Sequence, residues 1–292
     1  MLNHAQDGSA QPVSGDPAQP LAALRAELDA LDDALHDTLM RRAEVVSRIA
    51  ALRVKGGTPL RSGREAAILR RLLARHSGSL PRPGIVRIWR ELFAATTAMQ
   101  RPLTVAVPEG EAAALAREQF GALLALRVHR APEDALREVG SGAVAAAVLP
   151  MPGDDAPKSD AAGRDWWIAL VDQQEAARRV HVVARLPFWA PRPAGAPRGQ
   201  ALVAAAIAPD PSGQDRTLLA LRLPRTDDRE AEAALASAGL GAGALILARH
   251  EAAGVALADV DGFVTEDDSR LAAIDPRPVV LGVYAVPVGD AA

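Results

Sequence analysis

The chain has 292 residues, of which 49% are apolar and 24% charged, and its net charge is −3. This length allows two or three domains with a substantial core, and the near-neutral charge argues against a nucleic-acid-binding protein. There is no cysteine, which excludes disulfides, thiol catalysis and cysteine–metal sites. The six histidines lack the spacing of metal ligands, so we expect no metal site.

No apolar run approaches the ~20 residues that span a bilayer, so we expect no membrane partner. The N-terminal residues lack the basic region and the apolar region of a signal peptide. A cytoplasmic location is therefore the default expectation.

A long helix is predicted from Leu21 to Val54, because apolar residues recur there at steps of three and four without an intervening Gly or Pro. The polar, Gly-, Pro- and Ser-rich residues 1–19 before it are typical of a disordered tail. Pro20 stands where a first-turn proline is tolerated. At about 1.5 Å per residue the helix is roughly 50 Å long, which is too long for a lone helix in a compact small domain.

The apolar stripe of this helix is interrupted in its middle, where Thr38 and Arg42 take core positions. Arg25 and Arg53 lie beside the stripe at the same heptad position. An arginine on an apolar seam is costly unless an anion meets it. The pattern alone leaves two interpretations open: a coiled coil whose long arginines reach water, or an anion-binding site.

A second helix is predicted over residues 64–76 and a third over residues 84–100. We expect Ser62 to cap the second helix, with Glu65 three residues later as in a capping box. The apolar face of the second helix consists of Ile68, Leu69, Leu72 and Leu73, and that of the third consists of Ile85, Trp89 and Leu92. Steps of four along the third helix lead on to Thr96 and Gln100, so its far end either emerges into solvent or serves a polar site.

Strands and helices alternate over residues 103–149, which predicts a small parallel α/β unit. Further strands are predicted over residues 166–171, 180–184 and 201–207. The last part has the order βαββαβ of a ferredoxin-like fold, over residues 217–223, 228–238, 244–249, 255–264, 267–274 and 279–286. We therefore divide the chain into a tail (1–19), a helical domain (20–101), an α/β domain (102–212) and a ferredoxin-like domain (213–292).

The helical region is rich in arginine and poor in bases. Four of its permanent cations, with forked donors that suit carboxylates, are Arg25, Arg42, Arg53 and Arg64. Glu65 adds one carboxylate, and Thr96 and Gln100 add neutral hydrogen-bonding groups. Nucleophilic or acid–base chemistry has few groups to use here. Such a site suits a small dianion whose reaction depends on shape and charge.

Residues 21–100 resemble the all-helical class of chorismate mutases, motif by motif and in the family's order. LAALRAELDALD resembles the first motif and MRRAEVV the second. GTPLRSGREAAIL resembles the segment that leads into the second helix, and RIWRELFAATTAMQ resembles the third helix. The resemblance implies an all-α three-helix domain that forms an intertwined homodimer and rearranges chorismate to prephenate without a cofactor.

The resemblance also implies which residues form the site. The implied catalytic residues are Arg42, Arg53 and Gln100, and the implied substrate-binding residues are Arg25, Arg64, Glu65, Thr96 and Ser62. Two positions depart from the family's pattern. Arg53 stands where the family has a lysine, with Lys55 two residues away, and Ser62 stands where the family often has an aspartate.

The chemistry that the resemblance implies is a pericyclic [3,3] rearrangement with no covalent enzyme intermediate. Arg25 and Arg42 would bind the two carboxylates of chorismate in its compact reactive conformer. Arg53 and Gln100 would donate to the ether oxygen as its C–O bond breaks, and Glu65 would accept the substrate hydroxyl. In the family the long helices of two chains pair, so Arg25 would reach the partner's site.

The C-terminal part resembles a degenerate prephenate dehydratase domain followed by an ACT domain. VAVPEG, at residues 105–110, is similar to the dehydratase opening, but Glu111 replaces the Thr-Phe that usually follows, and the catalytic Thr-Arg-Phe motif is missing. We therefore expect no dehydratase activity. TLLALRLP resembles the first ACT strand, but Thr226-Asp227-Asp228 stands where Pro-Gly-Ala is expected, which favours a scaffold or dimerisation module over a phenylalanine sensor.

Two alternative functions remain open. One is an isochorismate pyruvate-lyase, which uses a related helical fold and would be distinguished by its product. The other is a catalytically silent regulatory or dimerisation module, which would gain nothing from Arg42 on its seam.

Overall fold

The structure is a computed structural model that describes residues 18–52, 59–153, 165–175, 178–192, 194–223 and 227–289. The chain divides into two compact units, one of residues 1–54 and one of residues 55–292. None of the helices in these ranges is long and apolar enough to cross a membrane.

The first unit contains a single described helix, α1 (Ala18–Leu52). The predicted long helix is confirmed through Leu52, and residues 53 and 54 lie outside the described ranges. The predicted tail is wrong at its last two positions, which are helical, because Pro20 is tolerated in the first turn. The apolar stripe is between 43% and 80% exposed in the single chain, at Leu21, Leu24, Leu28, Leu31, Leu35, Val45, Ile49 and Leu52.

The second unit opens with two helices, α2 (Ser62–Ala74) and α3 (Arg82–Gln100). Both predicted helices are confirmed, and each begins two residues earlier than predicted. The predicted capping box is wrong, because the N-cap residue is Arg61 and Ser62 is already helical. The buried residues of α2 are Gly63, Ala66, Leu69 and Leu73, and those of α3 are Val86, Arg90, Phe93, Thr96 and Thr97.

Nine strands of the described ranges form one mixed sheet in the order β2-β1-β3-β5-β4-β9-β6-β8-β7. The strands are β1 (Thr104–Pro108), β2 (Ala125–His129), β3 (Ala146–Pro150), β4 (His181–Leu186), β5 (Ala201–Ala205), β6 (Asp215–Arg222), β7 (Leu245–His250), β8 (Val255–Asp261) and β9 (Val279–Ala285). β1 pairs in parallel with β2 and β3, as predicted. β3 and β5 are almost fully buried, which explains why their sequences are continuous apolar runs.

The helices that connect these strands are α4 (Ala112–Phe120), α5 (Pro132–Ser141), α6 (Ile168–Val171) and α7 (Asp228–Ser237). The strand predicted over residues 166–171 is wrong, since residues 166 and 167 form a turn and Ile168–Val171 form α6. A short apolar run does not distinguish a strand from a buried helical turn. The helix predicted over residues 267–274 is a 3₁₀ turn, Ser269–Ala273. β6, α7, β7, β8, this turn and β9 otherwise follow the predicted order, with antiparallel pairing throughout.

One sheet contains strands from both sides of the domain boundary that we predict between residues 212 and 213, because β4 pairs in parallel with β9. A buried polar cluster stabilises this junction around Asp259, which is fully buried on β8. Asp259 accepts hydrogen bonds from Arg216 Nε at 2.9 Å and from the Tyr284 hydroxyl at 2.5 Å. Arg185 on β4 donates to the Tyr284 hydroxyl at 3.3 Å. Burial, followed by the Asp259 charge, raises the pKa of Tyr284 above its ordinary value, so the phenol stays a hydrogen-bond donor.

α2 and α3 share a hydrophobic core with the sheet. Its buried members are Ala66, Leu69, Leu73, Val86, Phe93, Phe188, Trp189 and Ala285. Phe188 and Trp189 follow β4, and Ala285 ends β9. The two helices therefore depend on the α/β part of the chain for part of the apolar surface that they bury.

Candidate functional site

Two of the predicted site residues, Arg25 and Arg42, lie on α1 in the first unit. The side chain of Arg25 is exposed, and that of Arg42 is half-buried. Thr38, which interrupts the apolar stripe, donates its hydroxyl to the Ala34 carbonyl oxygen at 2.8 Å. Arg53 lies outside the described residues. The predicted roles of these arginines therefore stay predictions.

Arg64 and Glu65 lie in the first turn of α2, directly after Ser62 and Gly63. The Arg64 side chain is exposed, whereas Ser62 and Glu65 are half-buried. A distant carboxylate replaces the predicted Ser62 cap. Asp210 accepts the backbone N–H of Gly63 through Oδ1 and that of Arg64 through Oδ2, each at 3.0 Å. The position of the Arg64 backbone thus depends on a residue of the connection between β5 and β6.

Glu65 forms an ion pair with Arg90 of α3, and sequence reasoning missed this partner. Arg90 Nη1 donates to Glu65 Oε2 at 2.9 Å, and the exposed fractions of the two side chains are 6% and 16%. The Arg90 guanidinium also lies 4.9 Å from the ring centroid of Phe188, within the range of a cation–π contact. Burial lowers the pKa of Arg90, and the charges of Glu65 and Glu118 oppose that shift.

The second predicted pair, Thr96 and Gln100, lies one turn apart near the C-terminal end of α3. The Thr96 hydroxyl donates to the Leu92 carbonyl oxygen at 2.8 Å, and its residue is 7% exposed. Gln100 Nε2 donates to the Thr96 carbonyl oxygen at 3.3 Å and is half-buried. The C-terminal end of α3 is therefore partly buried and does not simply emerge into solvent. Its two polar side chains donate hydrogen bonds to carbonyl oxygens of α3 itself.

The predicted residues of the second unit thus lie at two places: Ser62, Arg64 and Glu65 in the first turn of α2, and Thr96 and Gln100 one turn apart on α3. The residues that sequence reasoning missed are Arg90 and Asp210. Arg90 falls on the buried stripe of α3, between Val86 and Phe93, and an arginine there signals a buried partner. The contact between Asp210 and α2 joins residues about 150 positions apart, and no local pattern signals it.

The chemical capacity of these residues is to bind and orient an anion. The cations and the primary amide can bind carboxylates and stabilise developing negative charge. The ion-paired carboxylate can accept a hydrogen bond from a hydroxyl group. In the ranges that the structure describes, no group of three or more His, Cys, Asp or Glu side chains could hold a metal ion.

Residues 24–101 match the family model Chorismate mutase type II. The bifunctional chorismate mutase/prephenate dehydratase of Pseudomonas aeruginosa is 32% identical over 142 residues, which cover 45% of this chain and 38% of that protein. The protein of the same description from Stutzerimonas stutzeri is 31% identical over 145 residues, which cover 46% of this chain and 39% of that one. The chain thus spans well under half the length of these curated relatives.

Among solved structures, a prephenate dehydratase from Arthrobacter aurescens matches with a TM-score of 0.41 and 15% identity. The match covers 63% of this chain and 90% of that one.

Replacing Arg90 with Ala should lower the free energy of unfolding by about 3 kcal/mol or more, because Glu65 would keep its partly buried charge without Arg90. Urea denaturation followed by tryptophan fluorescence measures this loss. The matched control is Arg137→Ala, which removes an exposed ion pair with Asp134 and should change stability by less than about 0.5 kcal/mol. Equal losses in the two variants would show that the Arg90 pair contributes no more than a surface pair.

Proposed function

We propose that this chain, which contains a chorismate mutase type II domain over residues 24–101, rearranges chorismate to prephenate. The observation that carries the proposal is the extent of that match. It includes every predicted site residue, from Arg25 to Gln100, in the order in which the family's motifs occur. The proposed enzyme is an isomerase that uses no cofactor and serves aromatic amino acid biosynthesis.

The proposed mechanism uses charge and shape instead of covalent chemistry. Arg25 and Arg42 bind the two carboxylates and select the compact conformer of chorismate, in which the reacting carbons approach each other. Positioning of this kind can contribute up to about 7–11 kcal/mol. Arg64 adds a further cation beside Glu65, and Ser62 and Thr96 add hydroxyl groups for the bound substrate.

Electrostatic stabilisation accompanies the breaking of the ether C–O bond. Negative charge grows on the ether oxygen, and Arg53 and Gln100 donate hydrogen bonds to it. A preorganised donor of this kind contributes about 3 kcal/mol. Gln100 donates at any pH because its amide does not titrate. Glu65 accepts the hydroxyl of the substrate, and its ion pair with Arg90 orients the carboxylate for that role.

The proposed domain organisation is a mutase domain with two added parts. We propose that residues 20–101 form the helical domain, 102–212 a degenerate dehydratase-like domain without dehydratase activity, and 213–292 an ACT-like scaffold. The antiparallel order β9-β6-β8-β7, with α7 between β6 and β7, supports the last assignment. The aligned stretch of 142 residues in the Pseudomonas aeruginosa relative is longer than the mutase match, which supports an origin of the middle part in such a protein.

The proposed assembly is a homodimer in which the α1 helices of two chains pair. The exposed apolar stripe supports this assembly, because a soluble chain rarely leaves a row of leucines along one helix face in water. A second α1 offers a stripe of the same length and period. Pairing would also bring Arg25 to the site of the partner chain.

Loss of chorismate absorbance, with prephenate identified as the product, tests the proposed activity. We expect an active wild type, and we expect Arg42→Ala and Gln100→Ala each to lower kcat/KM at least about a hundredfold, because each removes a donor to the transition state.

Arg41→Ala is the matched control for this assay. Arg41 adjoins Arg42 on α1, its side chain is exposed, and its Nε donates within the helix, to the Asp37 carbonyl oxygen. Its kcat/KM should stay within about twofold of wild type. Wild-type rates in Arg42→Ala would refute the site assignment. Release of pyruvate from isochorismate, without conversion of chorismate, would identify the lyase instead.

The dimer is tested by sedimentation of the full chain. We expect Leu28→Glu to shift the protein from dimer towards monomer, because the new charge falls on the apolar stripe of α1. Ala30→Glu places the same charge on an exposed position of α1 away from that stripe and should leave the dimer intact. A wild-type chain that sediments as a monomer would contradict the proposed assembly.

A further inference from the structure

The connection between β5 and β6 contacts the first turn of α2 at Asp210. Its carboxylate accepts the backbone N–H groups of Gly63 and Arg64, each at 3.0 Å. It also accepts a hydrogen bond from Arg61 Nε at 3.2 Å, and its side chain is only 19% exposed. One partly buried carboxylate therefore bonds to two of the first-turn N–H groups that a helix cannot satisfy internally.

Gly63 permits this contact. A Cβ atom at residue 63 would lie 2.0 Å from the Asp210 carbonyl oxygen, closer than real Cβ atoms approach any atom. The backbone of the connection and the backbone of α2 can therefore meet here only because residue 63 has no side chain. The absence of that side chain keeps the Asp210 carboxylate within reach of the helix.

A second contact fixes the same connection two turns further along α2. Arg70 Nη1 donates to the Ser212 hydroxyl at 2.8 Å, and Arg70 Nη2 donates to the carbonyl oxygens of Gln214 at 3.0 Å and Val286 at 2.6 Å. Asp215 in turn accepts the Ser212 backbone N–H. The segment that carries Asp210 is thus anchored to α2, to the start of β6 and to the end of β9.

We propose that Asp210 is a positioning residue for the mutase reaction, acting through the first turn of α2. By bonding to the N–H groups of Gly63 and Arg64, it orients the turn from which Arg64 and Glu65 reach the substrate. The inference rests on the proposed function and extends it, because it makes the α/β part of the chain a determinant of mutase activity. A displacement of a binding side chain by about 1 Å can cost about a hundredfold in rate.

The test compares kcat/KM for chorismate in Asp210→Ala and Asp227→Ala, both in the full chain. Asp227 is the matched control, because it caps α7 by accepting the Glu230 backbone N–H at 2.8 Å and belongs to a different helix of the same unit. Each variant loses one carboxylate that accepts backbone N–H groups in a helix's first turn. We expect Asp210→Ala to lose at least about tenfold in kcat/KM and Asp227→Ala to stay within about twofold of wild type.

Asp210→Asn provides the conservative replacement. The amide keeps one acceptor oxygen for the first turn of α2, so its kcat/KM should lie between wild type and Asp210→Ala, about threefold below wild type. If Asp210→Ala does not fold, Asp210→Asn decides the question, and wild-type kinetics in it would overturn the inference.

The outcomes distinguish this inference from the function on which it rests. An active wild type with equal kcat/KM in Asp210→Ala and Asp227→Ala would overturn the positioning role and leave the mutase function standing. A wild-type chain that does not convert chorismate would overturn both. A selective loss in Asp210→Ala with partial recovery in Asp210→Asn is the result that the inference requires.

Discussion

The buried guanidinium of Arg90 is the interaction on which the arrangement of α2 and α3 depends. Placing a permanent cation in a core is costly unless partners replace its water, and here Glu65 and the ring of Phe188 do so. These partners come from α2 and from the segment after β4. The Arg90 charge thus fixes the position of α2 and α3 against the segment after β4 more specifically than apolar packing would, because its partners must keep a defined geometry.

This attachment also involves the helices that carry the candidate site residues of the second unit. Arg64, Glu65, Thr96 and Gln100 belong to helices whose buried face is shared with Phe188, Trp189 and Ala285 of the α/β part. The sheet is in turn continuous through the pairing of β4 with β9 and the polar cluster around Asp259. The residues that pack against α2 and α3 thus belong to, or directly follow, the strands that this junction joins.

The sequence predicted the helices well because their signals are local and repeated. The periodicity of α1 and the Gly- and Pro-rich turns around α2 and α3 define these elements without reference to the rest of the chain. Strands β1, β2 and β3 were likewise predictable, because each is a short apolar run next to a helix. Residues 166–171 were not, since a buried helical turn and a buried strand share the same apolar composition.

The contacts around the candidate site were beyond such reasoning for a different reason. Asp210 takes the place of the predicted Ser62 cap, and local patterns carry no information on a partner that the fold supplies from a distant loop. Predicting the Glu65–Arg90 pair would have required knowing which face of α3 is buried. The buried face lies one residue away from the predicted one. The contacts that orient the candidate site residues were thus not predictable from the sequence, and the roles assigned to those residues stay predictions.

Hydrogen–deuterium exchange at the backbone N–H groups of Gly63 and Arg64 tests most directly whether the α/β part fixes the first turn of α2. The measurement uses the full chain and resolves these two amides by NMR. Because both groups donate to Asp210, they should exchange as slowly as amides inside the helix. Exchange as fast as that of the free first-turn amides of an uncapped helix would contradict the attachment of α2 to the sheet.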